Sequence, residues 1–361
     1  MTQAVQLASY GSTGQSMGFK NRIINGAMMI DQRNAGAAVT TANSFPVDRF
    51  QYQNDSDATL TLQQSSTAPA GFSTSLSVTV STADASVGAT QYSIITQRIE
   101  GYNTSDFCWG TASAKTVTLS FWVRSSVTGT FSGVVNNTGS SRSYPFTYTI
   151  SSANTWEQKS ITIAGDTSGT WLSTNGIGLQ VRWSFGVGST YAGSAGSWSG
   201  STFFGATGGT QLISTAGATF YITGVQLEVG STATSFDYRP YGTELALCQR
   251  YFQVYGSIGS TGTQGDVFIA TYRNSSTLFM AVQYEVPMRT TPSFTQISVT
   301  GAQWSSQTQD VGITSFSLAN TPTPRTAFVS ANSSGAFSAG NGLVYTNIGT
   351  TTNAFSFNAE L

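Results

Sequence analysis

The chain is 361 residues long, with 15 basic and 16 acidic side chains, no histidine and a net charge of −1. Charged residues make up 9%, against roughly 25% in an ordinary soluble domain, while 39% is hydrophobic with 22 Phe, 15 Tyr and 7 Trp. That balance excludes a disordered chain, which needs high charge and few aromatics, and the lack of any Lys/Arg cluster excludes a nucleic-acid track.

The length suits two domains with short extras. Met1 to Tyr10 has neither a basic n-region nor an apolar h-region, so no signal peptide is expected. No apolar run reaches the length of a membrane span, so no membrane insertion is expected. Cys108 and Cys248 lie far apart and read as two buried thiols.

Residues 1–19 are Ser/Gly/Gln-rich and read as an arm whose order needs a partner. Strand signals begin at Ile23 and recur at Leu60 and Leu62, then at Leu76, Val78 and Val80. The clearest is Val117, Leu119, Phe121 and Val123, each separated by one residue. Tyr144 to Ile150, Ile161 with Ile163, and Leu179 to Val187 continue the period of two. Turn clusters such as Asn136–Gly139 and Ala164–Gly169 lie between them. Short half-polar strands without interleaved helices predict an all-β, antiparallel jelly-roll or β-sandwich body over 20–240. Trp122 and Trp183 fall within these strands and are expected in the core.

In Phe220 to Val229 the apolar side chains sit on even positions (Phe220, Ile222), then on odd ones (Val225, Leu227, Val229). A one-residue slip at Gly224 predicts a β-bulge. After a turn-rich stretch to Gly242 the period changes to 3.6, predicting a short helix over 243–255 with Thr243 as N-cap. Leu245, Cys248, Phe252 and Tyr255 share its apolar face, which is expected to be an oligomer interface or to pack on the flanking domains. The connector is therefore 241–256, and 257–361 is a second, smaller β-sandwich domain. Its first 256–265 stretch is a Gly/Ser/Thr loop, and its plainest strand runs from Leu278 to Met288, with Pro287 and Pro292 placing its end at a sheet edge. No repeat of 20–50 residues is present, which rejects a parallel β-helix.

Without histidine, Ser-His-Asp and Cys-His catalysis and imidazole metal sites are excluded. Only paired-carboxylate chemistry survives, and its candidates are Asp31, Asp48, Glu100, Asp106, Glu157, Asp166 and Glu228. Asp31 and Asp48 each have an arginine within two residues (Arg33, Arg49), which reads as ion pairing, so no enzyme is expected. Asn54-Asp55-Ser56-Asp57 has oxygen ligands at calcium-like density without a full loop motif, leaving Asp55 and Asp57 as weak calcium candidates in a solvated turn. Glycan binding needs flat apolar faces among polar groups. Tyr191, Trp198, Phe203 and Phe204 lie in the small-residue loop Gly188–Gly209 and read as a subunit contact, a glycan site or local packing. Trp304, in Gly301–Ser306, is the distal glycan candidate.

Lys20-Asn21-Arg22-Ile23-Ile24-Asn25-Gly26-Ala27-Met28-Met29-Ile30-Asp31-Gln32-Arg33-Asn34, with Pro46 to Phe50 downstream, resembles the opening of a family of bacteriophage tail-fibre and minor virion proteins. Ile222 to Phe252 is similar to that family's ITGVQLE-type strand, YRPYG-type turn and following helix. Gln97 to Gly101, Ser120 to Arg124 and Gly165 to Trp171 match it too, so the resemblance covers about 20–255. Asn25-Gly26 and the closing strand also resemble jelly-roll carbohydrate-binding modules, whose first and last strands pair and often flank a structural calcium; here Thr223-Gly224 stands where many place acidic residues. The resemblance implies a virion structural protein made in the host cytoplasm: a homotrimeric tail fibre or appendage, attached to other virion proteins through the arm and binding a host cell-surface glycan without catalysis. Two alternatives stay open, an architectural capsid decoration or head fibre and a glycan-depolymerising tailspike.

Overall fold

The computed structural model describes residues 20–256, 267–305, 310–337, 341–345 and 353–361. The arm 1–19 and most of the 256–265 loop lie outside the described residues. In chain order the elements are β1 (Phe50–Asn54), β2 (Thr59–Ser65), β3 (Ser75–Thr82), β4 (Tyr92–Glu100), β5 (Val117–Ser125), β6 (Gly129–Asn136), β7 (Ser143–Ile150) and β8 (Glu157–Ile163). They continue with β9 (Ile177–Val187), β10 (Ala192–Gly193), β11 (Gly205–Ala206), β12 (Thr219–Val229) and α1 (Tyr241–Gln249). The remainder are β13 (Phe252–Gly256), β14 (Val267–Asn274), β15 (Thr277–Gln283), β16 (Ser293–Gln296), β17 (Gln303–Ser305), β18 (Asp310–Gly312), β19 (Ser315–Leu318), β20 (Thr326–Asn332), β21 (Asn341–Tyr345) and β22 (Asn353–Asn358).

Two five-stranded antiparallel sheets, β1-β4-β9-β6-β7 and β2-β3-β12-β5-β8, face each other in a jelly-roll sandwich. The period-two alternation decides which side chains meet between them. Phe121, Val123, Trp183, Phe185, Phe220 and Ile222 point inward and are fully buried, each contributing roughly 1.5–3 kcal/mol of hydrophobic stabilisation. Phe121 meets Trp183 edge-on at 5.8 Å and Tyr148 at 5.0 Å. Trp122, expected in the core, instead lies half-buried on the outer face of β5, as the alternation with Phe121 and Val123 requires.

The slip at Gly224 is a bulge: the pairing of β12 with β5 shifts between Thr223 and Gln226, and Gly224 has φ +61°. A Cβ there would stand 2.7 Å from the Phe72 ring and 3.0 Å from Trp122, so glycine is required twice over. Arg22 N–H donates to Leu227 O, and Val225 N–H donates to Gly26 O, both at 2.9 Å. The opening segment thus runs against the closing strand.

The second sandwich sets β13-β22-β16 against the seven-stranded β18-β17-β21-β14-β15-β20-β19. β15 pairs with both β14 and β20, so it is an interior strand that stops at Gln283, not the edge expected from Pro287. The helix also differs from expectation. It starts at Tyr241 with Pro240 in the cap position, making Thr243 an internal residue, and stops at Gln249. Phe252–Gly256 is already the first strand of the second sandwich, paired with β22. Tyr255 therefore packs in that core, and Cys248 packs with Ile24, Ile30 and Tyr251, with Leu245 alongside. Phe252 lies under Arg33, whose guanidinium is 3.7 Å from its ring centroid. Cys248, Phe252 and Tyr255 are buried within the chain and Leu245 is partly so, so the face packs on the flanking units, and the assignment of these residues as an oligomer interface is corrected.

The two sandwiches are joined by a charged seam. Arg33 pairs with Asp48 at 3.1 Å and with Glu360 at 3.0 Å, and Arg49 pairs with the other Glu360 oxygen. Arg49 lies 3.5 Å over the Tyr251 ring. Glu100 accepts from Arg250 at 2.6 Å and from the Tyr251 hydroxyl at 2.9 Å. Burial pushes that phenol up to about 12, so it remains a donor. Arg289 donates to Asn175 O, Ala359 O and Glu360 O, and Arg98 to Leu361 O. Arg49 is only 2% exposed, so Glu360→Ala leaves a buried guanidinium uncompensated. Its expected cost in urea unfolding is about 3–5 kcal/mol, whereas Asp106→Ala, which breaks the exposed Arg22–Asp106 pair, costs at most about 1 kcal/mol. Equal unfolding midpoints for the two variants would remove the seam from this account.

Candidate functional site

At one end of the first sandwich three loops each bring one tryptophan to a common point. Trp109 follows two 3₁₀ turns, Gly101–Asn103 and Ser105–Phe107, in the β4–β5 connection. The chain turns at Cys108 with φ +55° and at Gly110 with φ +82°. Trp171 comes from the β8–β9 connection and Trp198 from the long β9–β12 connection. The three indoles meet edge-to-face, with centroids 4.7 Å (109–171), 5.2 Å (109–198) and 5.4 Å (171–198) apart. Tyr144 on β7 closes the group 5.2 Å from Trp198. The positive edge of each ring thus points at the negative face of another, which holds the cluster in one arrangement.

Every indole N–H in the cluster donates to a loop carbonyl: Trp109 to Lys115 O at 2.7 Å, Trp171 to Ser168 O at 3.1 Å and Trp198 to Ala164 O at 2.7 Å. Beneath them, Arg142 grips Asp166 with two bonds of 2.7 and 2.8 Å. Asp166 also takes Ser168 N–H, and its own carbonyl takes Gly110 N–H at 2.7 Å. Asn137 adds a bond to Thr170 O. The ion pair therefore acts as a staple between β7 and the Trp171 and Trp109 loops.

Beside this cluster opens a cleft of about 470 Å³. Its apolar wall is Phe107, Cys108, Trp109, Trp171, Leu172 and Leu179, and its polar wall is Thr104, Ser105, Thr111, Ser113 and Ser173. Flat aromatic surface next to a row of hydroxyls suits a ligand with apolar C–H faces and polar edges. No carboxylate lines it.

The aromatics singled out from sequence divide here. Trp198 joins the tryptophan cluster. Tyr191 and Phe204 stack on each other at 4.5 Å and meet Tyr92, and Phe203 presses on Gly193, where a Cβ would collide with its ring. This part of the loop lies on the outer face of β4-β9-β6, over Arg182, whose guanidinium sits 4.7 Å from the Phe204 ring. Tyr191 and Phe203 are thus local packing. Burial lowers the Arg182 guanidinium, which is held by Asn136, Ser140 and Gln180. Trp304 is fully buried in the second sandwich against Phe337, so it cannot be the distal platform; as the middle residue of β17 it faces the core.

Cys108 is half-buried at the cleft rather than interior, and Cys248 is interior. Asp55 and Asp57 are exposed on a turn built by the Asn54 side chain, and among the described residues no group of three His, Cys, Asp or Glu gathers to hold a metal. Neither aspartate pairs with its neighbouring arginine: Asp48 takes Arg33 in place of Arg49, which pairs with Glu360, and Asp31 accepts from Asn34 and Gly36. Sequence reasoning missed Trp109 and Trp171 as site residues. The signal was available in Cys108-Trp109-Gly110-Thr111 and Ser168-Gly169-Thr170-Trp171, where an indole sits in a small-residue turn among hydroxyls.

No family model matches the chain, and no curated protein matches it. Among solved structures, the enzymatically active domain of tailspike protein 4 of bacteriophage CBA120 aligns at 14% identity and TM-score 0.30, over 58% of this chain and 21% of that one. The family 11 carbohydrate-binding module of a Clostridium thermocellum cellulosomal cellulase aligns at 10% identity and TM-score 0.29, over 55% of this chain and 98% of that one. The module TmCBM61, solved with β-1,4-galactotriose, aligns at 10% identity and TM-score 0.31, over 58% of this chain and 99% of that one. The all-β sandwich architecture rests on the strand order itself.

The three indoles differ in what their removal does. Trp109 is 7% exposed and joins the core, so Trp109→Ala is expected to cost about 3–5 kcal/mol in urea unfolding. Trp171 is half-buried at the cleft wall, and Trp171→Ala should cost less than half as much. Equal losses would mean that the cleft wall is part of the core.

Proposed function

We propose that the protein binds a glycan in the tryptophan-lined cleft and serves as a non-catalytic attachment component of a bacteriophage virion, as a tail fibre or appendage. The observation that carries glycan binding is the pairing of fixed indole faces with a wall of five hydroxyl side chains in one cleft. A pyranose ring offers C–H faces to stack and hydroxyl edges to hydrogen-bond, which is what this lining accepts. The non-catalytic reading is supported by a lining without the pair of carboxylates that glycoside hydrolysis needs. The virion role is supported by the sequence segments between Lys20 and Phe252 that resemble tail-fibre proteins. In this reading the chain acts as a homotrimer, and several weak sites on one particle give avidity that one site lacks.

Trp171→Ala and Ser173→Ala, each checked to be folded at the assay temperature by a cooperative melting transition above it, are scored by glycan array and by adsorption of the carrying particle to host cells. One lost stacking face is expected to weaken binding about tenfold, equivalent to roughly 1.4 kcal/mol. If wild type and Trp171→Ala bind every glycan equally, the cleft is not the site. A wild type that binds none, on particles that assemble and adsorb normally without it, would make the protein an architectural decoration. Release of reducing ends from a bound polysaccharide would make it a depolymerase.

A further inference from the structure

The cleft beside the tryptophan cluster is graded from floor to rim. Its deepest lining is apolar: Leu179 is fully buried, Phe107 is 1% exposed and Trp109 7%. Its rim is hydroxyl, since Ser105, Thr111, Ser113 and Ser173 are all exposed. A ligand seated there turns a C–H face down and its polar groups up. An ionised group pressed toward such a floor loses its water and gains no partner, which is costly.

The donors that an anion needs are either missing from this lining or already used. Among the described residues no lysine, arginine, aspartate or glutamate lines the cleft. Both indole N–H groups of its wall are turned into the protein, Trp109 to Lys115 O and Trp171 to Ser168 O. The Thr111 hydroxyl gives its proton to Cys108 O at 2.6 Å and takes Ser113 N–H at 3.2 Å, which leaves one lone pair for a ligand. The arginines around the cleft are each closed on a carboxylate. Arg142 holds Asp166 through two bonds, and Arg22, 5.6 Å from the centre of the Phe107 ring, holds Asp106 at 2.7 Å. Carboxylates and phosphates only accept, and proteins hold them with charge-assisted donors. A wall of lone pairs and rotating hydroxyls matches groups that also donate.

We infer that the cleft takes a neutral, hydroxyl-rich sugar and rejects acidic ones, whether the acid is a uronate, a sialate or a phosphate. This rests on the glycan reading above and names its ligand class. The ring lays its C–H face on the indoles and the apolar floor. Its hydroxyls give protons to Thr111 and take them from Ser113 and Ser173. The volume of about 470 Å³ falls within the range of small-ligand sites. Because no ion pair forms, salt has nothing to screen, and binding persists at high ionic strength. The receptor is then a neutral surface polysaccharide rather than an acidic coat.

The test titrates the full chain with matched sugars: oligosaccharides ending in glucose or galactose against the same chains ending in glucuronate or galacturonate. The neutral member is expected to bind at least about tenfold more tightly. Its Kd should change by less than about twofold between roughly 50 and roughly 500 mM sodium chloride. Trp171→Ala should weaken it about tenfold. Ser113→Ala, which removes only an exposed rim hydroxyl, should weaken it about threefold and serves if the tryptophan variant disturbs folding. Equal or tighter binding of the uronate overturns the inference, as does a loss of about tenfold or more with salt. If the uronate is preferred and Trp171→Ala weakens it, the cleft stands as the glycan site and only its ligand class is wrong. If neither variant weakens any sugar, or no sugar binds, the glycan reading of the cleft falls and takes this inference with it.

Discussion

The arrangement of this molecule depends on the buried carboxylate of Glu360 held between Arg33 and Arg49. A chain with 9% charged residues has few ion pairs to place, and it concentrates them where its last residues return to the first sandwich. Arg33, Asp48, Arg49, Arg98 and Glu100 come from the first unit, Arg250 and Tyr251 from the link, and Arg289 and Glu360 from the second. Burying such groups costs several kcal/mol per ion before their attraction is counted, so the seam adds little net stability over an apolar contact. What it adds is direction, since a bidentate guanidinium fixes an angle and a register where aliphatic surfaces can slide. Asn175 O taking a bond from Arg289 extends the same restraint into the β8–β9 connection, a few residues from Trp171.

Much of the fold was legible because period-two alternation is a direct statement of which side chain faces which sheet. The bulge at Gly224 was legible for the same reason: a one-residue slip changes the face of every later side chain, and only a positive-φ residue absorbs it there. The end of the helix was not legible. Leu245, Cys248, Phe252 and Tyr255 fit a helical face, but Phe252 and Val254 also fit one face of a strand with Tyr255 on the other, and β22 offers the hydrogen bonds that decide it. Periodicity over four residues cannot choose between the two, whereas pairing partners distant in sequence can.

The site shows a different limit. A tryptophan in a Gly/Ser segment reads the same whether it lies on a loop tip or at the centre of a short strand, and Trp304 was the second case. Gly342 explains it: two residues along the neighbouring strand from Val344, the partner of Trp304, a side chain would collide with the indole, so that strand is cleared for a buried ring. The loop 188–218 shows the complement. Its glycines Gly193, Gly205 and Gly209 lie against Phe203, Ser132, Ser184 and Val187 because the backbone presses onto the outer face of a sheet. Small-residue composition there reports close packing rather than freedom, which is why Tyr191 and Phe203 are occupied with their neighbours while Trp198 packs against Trp109 and Trp171 behind the cleft wall.

Loops supply the cleft, and the sandwich supplies its rigidity. Trp109, Trp171 and Trp198 belong to three connections that nothing in the alternation of strands requires to meet. They meet because Arg142 and Asp166 hold two of those connections to β7, and because each indole N–H uses a carbonyl from the same set of turns. A stacking surface made this way loses little entropy when a ring settles on it, since the indoles are already fixed by one another. Weak contacts become useful when the cost of ordering them has been met in the fold, and when several identical clefts stand at fixed spacing. In the homotrimer proposed above, the spacing of the clefts is only as firm as the Glu360 seam that holds the two units to each other.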